Sequence, residues 1–139
     1  MRKNMISVLA LLVCGVACTN SIGFAEEEDT TVYELRTYTC HPGRLSALHK
    51  RFRDHTMKLF KKHGMTNVMY WTPVDKEDTL VYVLKHDSRE AAKKSWDGFR
   101  NDPEWQKVFK ESHEDGKIVM KVQSVFLKTT DYSPTPTKE

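Results

Sequence analysis

Cysteine is scarce in this 139-residue chain. There are three, and none stands in a Cys-x-x-Cys pair. A structural zinc site therefore lacks its usual ligands. The six histidines do not make up the deficit. On the stretch that reads as a first helix, His49, His55 and His63 are six and eight residues apart. Two ligands on one helix face need a spacing of three or four. The better expectation is ordinary surface histidines and no metal. There is no Gly-rich phosphate loop, no Gly-x-Ser-x-Gly turn and no nucleophile set beside a base. No internal repeat is visible. The apolar run 5–17 is too short to span a bilayer comfortably.

That run reads instead as the centre of an export signal. Arg2 and Lys3 precede it, and Gly23-Phe24-Ala25 offers small residues for cleavage. Residues 1–25 are expected to be removed, leaving a periplasmic or extracellular protein that starts at Glu26. The rival is lipidation of Cys18, although Gly15 stands where a branched aliphatic is wanted. Membrane contact is expected only through such a lipidated or uncleaved N-terminus. Without Arg2 and Lys3 the formal charge falls from +3 to +1, which is no nucleic-acid footprint. Cys14 and Cys18 would leave with the signal. Cys40 then has no partner in the chain and is expected to be buried and inert.

The remaining 114 residues suit one domain. An acidic leader covers 26–31, the domain 32–130, and a Pro/Thr-rich tail, expected to be disordered, 131–139. A strand at 31–39 ends in a Pro42-Gly43 turn. A helix at 44–63 follows, with Leu45, Leu48, Phe52, Thr56, Leu59 and His63 on one face and Gly64 as its C-terminal cap. The outward face carries Lys50, Arg51 and Arg53. Strands at 66–72 and 79–86 come next. Asp87, at capping-box spacing from Glu90, or else Ser88 caps a helix reaching Arg100, and Asp102-Pro103 starts another over 103–113. A last strand covers 117–128. The order β-α-β-β-α(α)-β predicts an α+β, ferredoxin-like sandwich with its helices on one sheet face. Yet Leu80–Leu84 holds no polar residue besides the Tyr82 hydroxyl, and a sheet with one wet face should alternate. The other face is expected to meet a second copy, giving a homodimer packed sheet to sheet, a dimeric α/β barrel.

Five short pieces in this order resemble the NIPSNAP-domain family of the dimeric α/β-barrel superfamily: Tyr33–Tyr38, Pro42-Gly43, His63-Gly64, Tyr70-Trp71 and Asp102-Pro103-Glu104-Trp105. The resemblance implies the same protomer and the same pairing. It says little about chemistry, because relatives in the wider superfamily include cofactor-free monooxygenases, haem-degrading enzymes and isomerases.

Glu34, Arg36 and Tyr38 share one strand face. They form either a polar floor, with Arg36 clamping an anion, or an internal ion pair that sets register. His63 is either a base or axial haem ligand, or a helix-end histidine favoured by the macrodipole. Tyr70, Trp71, Trp96, Trp105 and Phe109 either wall a flat ligand or are plain core. The candidate ligand residues are Arg36, Tyr38, His63, Tyr70, Trp71 and Trp105, around a pocket between sheet and helices. Two functions follow. One is a non-catalytic binding protein for a small apolar or aromatic molecule. The other is a cofactor-free monooxygenase or isomerase acting on an aromatic or quinone-like substrate. No cofactor is expected, with haem the one outside candidate.

Overall fold

The computed structural model describes residues 29–134. The export signal, the Cys18 alternative, residues 26–28 of the leader and residues 135–139 of the tail lie outside the described residues. Four strands, β1 (Val32–Cys40), β2 (Thr66–Trp71), β3 (Thr79–His86) and β4 (Val119–Leu127), form one antiparallel sheet in the order β2-β3-β1-β4. Helices α1 (Leu45–Arg51), α2 (Met57–Lys62), α3 (Arg89–Asn101) and α4 (Pro103–Glu111) complete the ferredoxin-like α+β fold. Among the described residues, no helix is long and apolar enough to cross a membrane.

Local chemistry sets most boundaries, and the ends fall within two residues of expectation. Gly64 takes φ +78°, a left-handed turn that ends α2 without the Cβ clash an L side chain would suffer. Ser88, not Asp87, caps α3: its Oγ accepts the Ala91 N–H at 3.0 Å. The capping box of Asp87 with Glu90 therefore does not form. Asp102 caps α4, accepting the Glu104 N–H at 2.8 Å with Pro103 in the first turn.

The first helix is not a uniform α-helix. Between α1 and α2, Phe52–Thr56 forms a π-helical turn in which the Met57 N–H reaches back five residues to the Phe52 carbonyl. Such a turn inserts one residue and leaves a carbonyl without its α-helical donor. Here the Arg51 carbonyl accepts from Thr56 Oγ1 at 3.2 Å.

The core lies between helices and sheet. Leu48, Phe52, Leu59, Phe60, Trp96 and Phe99 pack on Leu80, Tyr82 and Leu84 of β3, and Cys40 is buried as a free thiol. Burial, with Asp78 nearby, pushes that thiol's pKa up, against an inert background. Among the described residues, no helix covers the opposite sheet face. Register there aligns Met69, Val83, Leu35 and Val125 in one apolar row across all four strands. Met69 is 51% exposed and Val125 54%.

Candidate ligand cleft

The even positions of β1 point at the helices, so Glu34, Arg36 and Tyr38 lie under them and not on the open face. Glu34 is 1% exposed. Its carboxylate accepts from His86 Nε2 at 3.0 Å, Trp96 Nε1 at 2.7 Å, Ser124 Oγ at 2.7 Å and Arg36 Nη1 at 2.5 Å. Burial pushes its pKa up, but those donors, His86 first, outweigh burial and hold it at about 2. Arg36 lies 4.2 Å from the centre of the Trp96 ring and donates to Tyr38 Oη at 3.3 Å. Its charge is thus neutralised inside the protein. Arg36 lines none of the clefts described below. His86 departs from the expectation of a surface histidine: it is buried, with Nε2 donating to a carboxylate that can only accept.

Beside this network lies a cleft between helices and sheet. It encloses about 270 Å³ and is walled by Tyr38, Phe52, Phe60, Phe99, Trp105 and Phe109, with Val122 of β4 at its rim. The rings contact one another in sequence. Phe60 and Phe99 are 4.9 Å apart, Phe99 and Trp105 4.4 Å, Trp105 and Phe109 5.5 Å. Besides Tyr38, three polar side chains line the same cleft; the Thr56 hydroxyl donates to the Arg51 carbonyl, which leaves His113 and Arg51. His113 Nδ1 is 2.6 Å from the Phe109 carbonyl, which can only accept, so Nδ1 carries the proton and a neutral ring keeps its lone pair on Nε2. Arg51 is 5% exposed, its guanidinium 5.3 Å from the centre of Trp105 and 5.7 Å from that of Phe109.

Of the six candidate ligand residues, Tyr38 and Trp105 meet in this cleft. Tyr70 and Trp71 border a separate opening of about 430 Å³ on the far side of Phe52. Tyr70 faces the helices and stacks on Tyr82 at 5.2 Å, and burial pushes its hydroxyl's pKa up. Its neighbour Trp71 is half exposed. His63 lies elsewhere, at the end of α2, with Nε2 2.6 Å from Asp102 Oδ2, and borders a shallow surface depression with Gly64 and Ser95. The single pocket expected around His63, Tyr70 or Trp71 and Trp105 is thus divided among three places. Arg51, expected on the outward face with Lys50 and Arg53, is buried instead, and neither it nor His113 was picked out as a site residue from the sequence. A signal for Arg51 was available: it follows Leu48 by three and precedes Phe52 by one, which places it on the flank of the apolar face. For His113, beyond the end of α4, no local signal distinguishes it from a loop histidine.

An antiparallel four-stranded sheet with helices on one face and an aromatic cleft between them defines a ferredoxin-like α+β protein. The chain belongs to the NIPSNAP family, whose model matches residues 33–134. It is similar to an uncharacterized NIPSNAP-like domain protein from Burkholderia xenovorans, with a TM-score of 0.68 at 16% identity over 77% of this chain and 91% of that one. It is also similar to a NIPSNAP family protein with unknown function from Agrobacterium tumefaciens, with a TM-score of 0.67 at 20% identity over 77% and 95%. A more distant likeness in fold is SnoaB, a cofactor-independent oxygenase from Streptomyces nogalater, with a TM-score of 0.57 at 12% identity over 76% and 99%. No curated protein matches the chain by sequence.

Proposed function

We propose that this exported NIPSNAP protein binds a small, flat, apolar or aromatic molecule in the cleft between its helices and sheet, as a homodimer. The observation that carries the reading is the wall of six rings around about 270 Å³. Ligand sites are mostly apolar concavities with a few placed polar groups, and this cleft has that make-up at the small end of the usual size range. A flat bicyclic molecule suits it better than a globular one, because stacked and edge-on rings offer planar faces. The two-copy arrangement is supported by the apolar row of the open sheet face, which water would otherwise cover.

The test is calorimetric titration with 1,4-naphthoquinone, a neutral bicyclic probe, and in parallel with haemin. The wild type is expected to bind the quinone, and Val122→Trp, which fills the rim, to lose it. Equal binding by both proteins would sink the reading. A Soret shift with haemin that Val122→Trp abolishes would make haem the occupant.

A second reading, a cofactor-free oxygenase or isomerase, draws on one observation: the free Nε2 lone pair of His113 at the cleft wall. Such reactions begin by removing a proton from the substrate, and a general base must lie within hydrogen-bond reach of it. Oxygen uptake with a dihydroxynaphthalene, lost in His113→Gln while binding persists, would favour this reading over plain binding.

A further inference from the structure

We infer that Arg51 is the anion-recognising side chain of the aromatic cleft, so that the ligand is an aromatic molecule carrying one planar oxyanion, a carboxylate or an enolate. This rests on the aromatic-cleft reading above and names the chemistry its occupant must have.

Arg51 is buried and Arg36 largely so, and the protein treats the two differently. Arg36 has the Glu34 carboxylate beside it. Arg51 is the more deeply buried of the two, yet among the described residues it forms no ion pair. Its one polar contact is Nη1 donating to Ser112 Oγ at 3.1 Å. The Ser112 hydroxyl passes its own proton to the Phe109 carbonyl at 2.9 Å, so it offers a lone pair and no charge. Nε of Arg51 is buried without a partner, as is that of Arg36, so what separates the two is the missing counter-charge. The groups facing it from the sheet, Tyr38, Cys40 and Tyr82, are two phenols and a thiol and bring no carboxylate. On its outer side a second cleft of about 270 Å³ does hold acids, but Asp54 is taken by Lys50 at 2.6 Å, Asp115 by Arg44 at 3.6 Å and Glu111 by Lys107 at 3.9 Å.

A buried cation without a counter-charge is costly unless something offsets it. The faces of Trp105 and Phe109 offset part. What remains is the edge of the guanidinium formed by Nε and Nη2. That edge is the one that grips a carboxylate with two parallel hydrogen bonds. The π-helical turn beginning at the next residue widens the helix where Arg51 leaves it, and such turns recur at binding sites. A ligand with an aromatic body and a planar anionic end would place the body among the rings and the charge on Arg51. Burial also pulls the pKa of the free guanidinium down, which an arriving anion would reverse.

The test uses a matched pair of probes, 2-naphthoate and 2-naphthamide, which share ring and shape and differ in charge. Calorimetry on the full chain is expected to show the wild type binding the acid at least about tenfold more tightly than the amide, the range of a charge-assisted hydrogen bond. Arg51→Met is expected to lose that preference while still binding the amide. It should also melt higher than the wild type without ligand, because an unpaired buried charge has gone. Arg51→Gln, which can still donate to Ser112, reports the same loss of preference if the Met variant does not fold. Equal binding of acid and amide by the wild type overturns the charge assignment and leaves the aromatic cleft standing. A preference for the acid that survives both substitutions overturns it too. Binding of neither probe overturns the cleft reading and this one together.

Discussion

His63 Nε2 lies 2.6 Å from Asp102 Oδ2, and this contact ties the end of the first helical segment to the junction of α3 and α4. The same carboxylate pairs with Lys62 at 2.8 Å and caps α4 through the Glu104 N–H. Lys62 first, then His63, hold the Asp102 carboxyl well below the ordinary range. Thirty-nine residues of chain are closed by one side chain.

Asp102→Asn is expected to lower the melting temperature by several degrees, and Asp102→Ala by more, since it also removes the cap. Because folding lowers this pKa, the stabilisation is whole above the unfolded value of 3.8 and fades as pH falls below it. Gly98 tests the same latch from the other side: a Cβ there would lie 2.9 Å from His63 Nδ1. Gly98→Ala should shift the His63 ring resonances by NMR and destabilise. Unchanged resonances would mean that the histidine is not held as described.

The Glu34 network makes a second prediction. Glu34→Gln leaves Arg36 buried without its counter-charge and is expected to cost roughly 3 kcal/mol in urea unfolding, the range for a broken buried ion pair. Folding lowers the Glu34 pKa from 4.5 to about 2. The unfolded chain therefore takes up the proton first, and this contribution is complete above pH 4.5 and lost as pH falls towards 2. A wild type whose stability stays flat between those values would show that the carboxylate is not so held.

On the open sheet face, Leu35 stands between Val83 and Val125 at the centre of the apolar row. Val83→Glu points away from the helical core, so the fold should persist. Sedimentation is expected to show a dimer for the wild type and a monomer for the variant at micromolar concentration. A wild-type monomer would remove the pairing.

Export makes the last prediction. Intact-mass measurement on protein from its native envelope is expected to find residues 1–25 missing and Glu26 first. A lipid mass on Cys18 would establish the anchored alternative.

The strand and helix positions, the cap roles of Gly64 and Asp102, and the shared face of Glu34, Arg36 and Tyr38 were legible in the sequence. Each depends on residues within a few positions, where period, φ preference and capping chemistry act directly. The apolar character of both β3 faces was legible for the same reason. The choice between the two roles of Glu34 was not. Its donors His86, Trp96 and Ser124 lie 52, 62 and 90 residues away, and only the packing of β3, α3 and β4 against β1 brings them to one carboxylate. That same packing buries Arg51 rather than exposing it with Lys50 and Arg53, assigns the buried Glu34 carboxylate to Arg36, and parts His63 and Tyr70 from Trp105. Helical period says which way a side chain points. Whether a counter-charge waits there is decided by the elements that pack opposite it.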